Sequence, residues 1–358
     1  MKKVFTLILL LVIGFAKGQL LTTSPSFIQE TSSSIVITAD ATKGNQGLKD
    51  YTPTTDVYVH IGAITNKSTT SSDWKYLPYT SFTTATPAAN CTFIGSNKWT
   101  FTINTSLRSF FGITDPTETI RKIAILFRSG NGSKKLANAD GSDMYINVYD
   151  ASLNVRIDVP PSQPLFTQVI EPITKIVGDP LSITANASQT STLALYFNGN
   201  LLTTVNNATT ASFNTSITAV GNQQIVARAT VGATVKSDTL NFVVAAPNTV
   251  AALPSGLKDG INYDANDNTS ATLVLYAPNK SNVFVIGDFN DWQQTAQYQM
   301  NITPDGLRYW IKLTGLTPST EYGFQYVIDG NLKVADYTVE KVLDHLTTNT
   351  SLLLHIQT

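Results

Sequence analysis

Val283-Phe284-Val285-Ile286-Gly287-Asp288-Phe289-Asn290-Asp291-Trp292 reads as a strand that runs into a turn. The run 287–291 carries Asp and Asn side chains that can bond their own backbone, which is turn chemistry. A second strand, Tyr322-Gly323-Phe324-Gln325-Tyr326-Val327-Ile328, ends in the turn Asp329-Gly330-Asn331. The same pattern extends outward. Ser34-Ile35-Val36-Ile37-Thr38, Val57-Tyr58-Val59-His60-Ile61 and Thr272-Leu273-Val274-Leu275-Tyr276 alternate apolar and polar residues over short runs, the period of a strand. Asn45-Gln46-Gly47, Asn131-Gly132-Ser133 and Asn198-Gly199-Asn200 punctuate them, at spacings expected of antiparallel hairpins and sandwiches. Only residues 105–111 offer a short helix. The predicted fold class is all-β.

At 358 residues the chain exceeds what one hydrophobic core serves. Two proline-rich breaks divide it: Val159-Pro160-Pro161-Ser162-Gln163-Pro164, and Ala245-Ala246-Pro247 running on to Leu253-Pro254-Ser255-Gly256. Proline there stops strand pairing and favours extended linkers. The expected organisation is three tandem β-sandwiches of immunoglobulin-like or E-set type, over 19–158, 159–246 and 247–344, with a tail at 345–358. The middle one has immunoglobulin-like strand spacing, with Leu193-Ala194-Leu195-Tyr196-Phe197 turning at Asn198-Gly199 into Leu201-Leu202. It holds no Trp, no His and no charge cluster, so it reads as a spacer.

The first 18 residues read as a signal peptide: Lys2 and Lys3, an apolar run over 4–15, then the small residues Ala16 and Gly18 before Gln19. The run is shorter than the roughly 20 residues that cross a bilayer, and no later segment reaches that length. The predicted location is therefore beyond the inner membrane: periplasmic, cell-surface or extracellular. Cys91, the single cysteine, cannot form an internal disulfide. The domains must rest on packing alone, and Cys91 reads as a small buried hydrophobe.

Charged residues make up 14% of the chain, against roughly 25% in typical globular domains. The formal net charge is -1. No cluster of Lys and Arg offers a footprint for nucleic acid or an anionic membrane, so neither is an expected partner. There is no nucleophile elbow, phosphate loop or metal-binding histidine pair. His60 alternates with Val59 and Ile61 and faces away from them, but one histidine makes neither triad nor metal site. The loop Asn138-Ala139-Asp140-Gly141-Ser142-Asp143 supplies oxygens, yet it lacks the full spacing of a calcium loop and reads as a solvated turn. No catalytic residue, metal or cofactor is predicted.

Residues 283–292, the pair Tyr309-Trp310 and residues 322–330, in that order, resemble the β-sandwich module that precedes the barrel in isoamylases, glycogen-branching enzymes and related family 13 glycoside hydrolases. The resemblance covers about 254–344. The first unit is similar, through Asp56-Val57-Tyr58-Val59-His60-Ile61-Gly62, Trp74-Lys75-Tyr76, Ile123-Ala124-Ile125-Leu126-Phe127-Arg128-Ser129 and Asp140-Gly141-Ser142-Asp143-Met144, to starch-binding modules of secreted Bacteroidetes-type α-amylases. These resemblances imply a non-catalytic region that binds and positions α-glucan, such as starch or glycogen. Its partners would be that polysaccharide and a C-terminal catalytic barrel that this chain lacks. Glycoside hydrolysis needs two carboxylates across a rigid cleft, which the family places on that barrel, and no repeated strand-helix units occur here.

In glucan-binding members, the tryptophan at the position of Trp292 stacks on a sugar ring. The family's second tryptophan corresponds to Leu332 and its lysine to Gln325. Trp74 and Tyr76 lie two apart, so in a strand they would share one face and form an aromatic platform. The expected carbohydrate-binding residues are thus Trp74, Tyr76, Trp292, Gln325 and Asn290, the alternatives being a packed, docking or structural role for Trp292 and simple core or edge packing for Trp74 and Tyr76. Ala335-Asp336-Tyr337 and Val342-Leu343-Asp344 follow the family's exit segment, after which the script breaks. Loss of one base from a proline codon would produce the tail, so 345–358 is expected to be out of frame; a stop codon with no barrel coding downstream in any frame would refute this. Two other readings stay open: a stand-alone surface glucan-capturing protein, and a structural or adhesive secreted protein.

Overall fold

A computed structural model describes residues 19–70, 72–139, 141–160, 173–338 and 352–355. The predicted signal peptide, all but the first two residues of the first proline-rich break and most of the tail lie outside the described residues. The chain divides into two compact units, which among the described residues comprise 19–151, and 152–160 with 173–338 and 352–355.

In the first unit, the strands Leu21–Ser24, Ile35–Asp40, Lys98–Ile103 and Thr92–Gly95 form one antiparallel sheet in that order. Val57–Thr65 and Ile120–Ser129 form the centre of the other, with Lys135–Leu136 and Met144–Asn147 both paired to Ile120–Ser129. Alternation decides which side chains meet. Ile35 and Ile37 from one sheet, and Val57, Val59 and Ile61 from the other, are buried, while Val36, Thr38, Tyr58 and His60 between them are only partly covered. Trp99 and Phe101 complete this core. Cys91 lies within it, and burial pushes its thiol well above its ordinary range. The expected short helix is Leu107–Phe111, capped by the Ser106 hydroxyl, which accepts from the Ser109 N–H at 3.2 Å, and closed at Gly112 with φ 68°. A left-handed residue at a helix end is where glycine costs least.

In the second unit, one sheet runs Asn200–Ser216, Pro180–Phe197, Gly221–Val231, Thr234–Val244. Val155–Val159 also pairs with Pro180–Phe197, so this strand, which the sequence reading placed largely with the first sandwich, belongs to the sheet that follows. The 18-residue strand Pro180–Phe197 carries register shifts between Asn186 and Leu193. Its first half pairs with Val155–Val159 and its second half with Gly221–Val231. Leu181 and Ile183 from the first half share one core with Leu193 and Leu195 from the second. The bulged strand thus lets the sheet fold over its own apolar face, as bulges do.

The remaining strands make two facing sheets. One runs Gly260–Asp264, Asp267–Tyr276, Arg308–Leu313, Asn301–Ile302. The other runs Val283–Gly287, Glu321–Ile328, Leu332–Val334, with Leu352–His355 also paired to Glu321–Ile328. Leu273, Leu275, Tyr309, Val283, Val285, Phe324 and Tyr326 fill the space between them. The Tyr326 hydroxyl donates to the buried Asp336 carboxylate at 2.9 Å. The second proline-rich break is an extended segment held by its neighbours. Ala246 exchanges two bonds with the Gln299 side chain, at 3.0 and 2.7 Å, and the Ala251 N–H donates to the Ile302 carbonyl.

Candidate functional site

The structure places the five expected residues in two separate groups. Trp74 and Tyr76 lie in the first unit. The strand expected there shortens to one bridge, Ala63 to Lys75, because the backbone turns left-handed at Tyr76, with φ 55°. Trp74 then turns inward. Its ring lies over Gly62, where an added Cβ would come within 3.3 Å of it. It stacks on His60 with centroids 5.5 Å apart and meets Tyr145 edge-on. Tyr76 goes elsewhere: its hydroxyl donates to the buried Glu118 carboxylate at 2.6 Å, which also accepts from the Thr65 hydroxyl. The two rings therefore do not form one platform, and Tyr76 is the more exposed of the pair.

His60 is half-buried between Trp74 and Phe82. Its Nδ1 is buried and has no hydrogen-bond partner. Burial, and then the Arg128 charge, hold its pKa below the ordinary value, while Asp143 pulls the other way. Arg128 is itself fully covered, donating to the carbonyls of Ser81, Thr84, Ser129 and Gly130. These four bonds fasten the 81–84 segment to the strand end, so the cluster braces this part of the fold.

Asn290, Trp292 and Gln325 come together in the second unit. The expected turn forms as a short 3-10 segment, Asp288–Asn290. Asn290 is spent on it: its Oδ1 accepts from the Gly287 N–H at 2.8 Å and its Nδ2 donates to the Val285 carbonyl at 3.0 Å. Asp288 accepts from the Trp292 indole N–H at 2.8 Å with one oxygen and from the Gly323 N–H at 2.5 Å with the other. The indole lies over Gly323, where an added Cβ would fall 3.0 Å from Cζ2. The neighbouring strand can receive that ring because Gly323 has no side chain.

This ring is partly covered by protein. Trp292 and Ala296 pack against a cluster of Phe284, Ile286 and Val327, on the side of their sheet away from its sandwich core, joined there by Val243 of the preceding sheet and by Ala245 just after it. The Ala296 N–H donates to Asn222 Oδ1 at 2.8 Å across the same joint. Gln325, on this face, is only 8% exposed, whereas Leu332 is 50% exposed. The face that the resemblance equips for sugar stacking is thus partly taken up by a joint between two sandwiches. A sequence signal for it exists: Val283-Phe284-Val285-Ile286 is apolar without interruption, and Phe242-Val243-Val244 likewise, the pattern of strands covered on both faces.

Residues 259–340 match the family model of carbohydrate-binding module 48, the isoamylase N-terminal domain. This agrees with the resemblance drawn over 254–344. No curated protein sequence matches the chain. Among solved structures, the chain is similar to the pullulanase SAP of Group B Streptococcus, at 12% identity and a TM-score of 0.23, over 51% of this chain and 25% of that one. It is similar to the pullulanase of Anoxybacillus sp. LM18-11, at 12% identity and a TM-score of 0.21, over 51% and 27% of the two chains. It is also similar to the fibronectin(III)-like modules of Clostridium thermocellum CbhA, at 12% identity and a TM-score of 0.23, over 57% and 94%. The chain spans about a quarter of the length of the two pullulanases. The module-48 segment contains the Trp292 turn and the whole of Glu321–Ile328. Among the described residues no three His, Cys, Asp or Glu side chains gather as a metal site, and no helix is long and apolar enough to cross a membrane.

Proposed function

We propose that this chain binds an α-glucan without chemical turnover and positions an attached or associated family 13 glycoside hydrolase on it, outside the inner membrane. The observation that carries this reading is the match of residues 259–340 to a carbohydrate-binding module of the isoamylase N-terminal type. The joint at Trp292 supports the positioning half of it. A module fixed to its neighbour through Phe284, Ile286 and Val243 presents its free surfaces at a set angle. Shallow β-sandwich faces bury little ligand, so affinity per surface is weak and is raised by presenting several surfaces on one chain. The test is affinity electrophoresis of the purified protein through gels with and without soluble starch, beside a reducing-sugar assay. Retardation by starch with no sugar release is the expected result. Unretarded migration overturns glucan binding, and sugar release overturns the non-catalytic reading.

A further inference from the structure

The opposite side of the module-48 sandwich from the Trp292 joint carries exposed rings. Tyr276 is 44% exposed and Tyr337 67% exposed. Tyr276 sits opposite Arg308 in the sheet. The guanidinium lies over the Tyr276 ring, 5.4 Å from its centroid. Arg308 is held flat there by Asp259, which it engages with two bonds of 2.6 and 3.2 Å.

Tyr337 is brought to the same place by its neighbours. Asp336 fixes the segment, accepting from the Thr338 N–H at 2.8 Å and from the Thr338 hydroxyl at 2.6 Å. Thr338 in turn sits against Gly260, next to Asp259, so closely that an added Cβ would fall 1.9 Å from its Oγ1. Beside Arg308 opens a depression of about 630 Å³, lined by Leu253, Leu257, Lys258, Asp259 and Asp305 among others.

The geometry points to this surface, Tyr276 and Tyr337 flanking the Arg308–Asp259 pair, as a binding site for a neutral carbohydrate chain. The proposal rests on the glucan-binding reading and names where the contact is made. Flat aromatic faces match the apolar C–H faces of a pyranose ring, and Tyr gives apolar area with a polar tip. The charged lining holds two cations, Lys258 and Arg308, and two carboxylates, Asp259 and Asp305. Its balance favours neither anion nor cation, while its donors and acceptors suit hydroxyl groups. The joint occupies part of the face that carries Trp292, whereas Tyr276 and Tyr337 lie outside its cluster.

The experiment compares the intact protein with the double variants Tyr276→Ala/Tyr337→Ala and Tyr276→Phe/Tyr337→Phe in starch-containing gels. The alanine pair is expected to weaken apparent affinity about tenfold, through loss of two ring contacts, and the phenylalanine pair to retain it. Both rings are exposed, so melting temperatures should not move; the Tyr337→Ala single variant gives the same readout should the double variant melt early. Retarded wild type with an equally retarded alanine variant overturns this site and leaves glucan binding standing. A wild type that starch does not retard overturns both.

Discussion

At the scale of single residues, polar partners decided where the conspicuous aromatics went. Trp292 looks like a sugar platform because it follows a Gly-Asp-Phe-Asn-Asp turn, yet Asp288 fixes its indole and Gly323 leaves room for the ring to lie down. We expect Trp292→Ala to destabilise the second unit by about 2 kcal/mol, less than a fully buried tryptophan would. Starch retardation should be unchanged; a variant that folds as well as wild type but loses retardation would place the sugar on this ring after all. In the first unit, His60 gives a pH prediction. Burial and Arg128 hold its pKa below the ordinary 6.5, so as pH falls the unfolded chain takes up the proton first. Stability is then full above about 6.5 and declines below it. Asp143, raised by burial above its ordinary 3.8, acts with opposite sign: its contribution is present below 3.8 and lost as pH rises through its raised pKa. Urea midpoints measured between about pH 7.5 and 5.5 should fall, and His60→Gln should flatten that fall.

At the scale of strands and turns, most of the architecture was legible from alternation. Ile35, Ile37, Val57, Val59 and Ile61 point into one core because side chains on a strand change face at every residue. The helix over Leu107–Phe111 and the turn over Asp288–Asn290 also follow from local chemistry. What alternation could not show is a break in the strand itself. Tyr76 adopts φ 55°, and no periodic signal marks a left-handed residue that is not glycine. A ring expected beside Trp74 therefore leaves for Glu118. The Trp292 joint was legible only as an alternative, a packed or docking role for that ring, because its evidence is an uninterrupted apolar run, which is easily read as an ordinary strand with one wet face. Close approach of backbones is likewise invisible until the fold is known. Gly260 has φ 98° and sits against Thr338, so Gly260→Ala meets both an unfavourable backbone angle and a collision. A loss of about 2 kcal/mol or more is expected, with the segment carrying Tyr337 displaced. Chemical denaturation and protection of the Thr338 amide from exchange would check it.

At the scale of the whole molecule, the question is which sandwiches unfold together. The first unit has its own continuous core, and the second unit has two cores plus the small apolar joint between them. Strand alternation separates these roles cleanly at one place. Phe242 and Val244 point into the core of the folded-over sheet, whereas Val243 points into the joint with Phe284, Ile286 and Val327. A charge at Val243 therefore attacks the joint while sparing both cores. The joint's polar bonds, Gln299 to Ala246 and Ala296 to Asn222, are bonds that water can replace once the sandwiches part, so the apolar contact is what couples them. Calorimetry of the wild-type protein should show one transition for each compact unit. In Val243→Lys an ammonium must either stay desolvated in the joint or open it. The second transition should then split into two, and the transition of residues 19–151 should stay where it was. If the second transition instead shifts as a single peak, the two sandwiches are coupled through the extended 245–256 segment rather than through this apolar contact, and the joint does not fix how the module is presented.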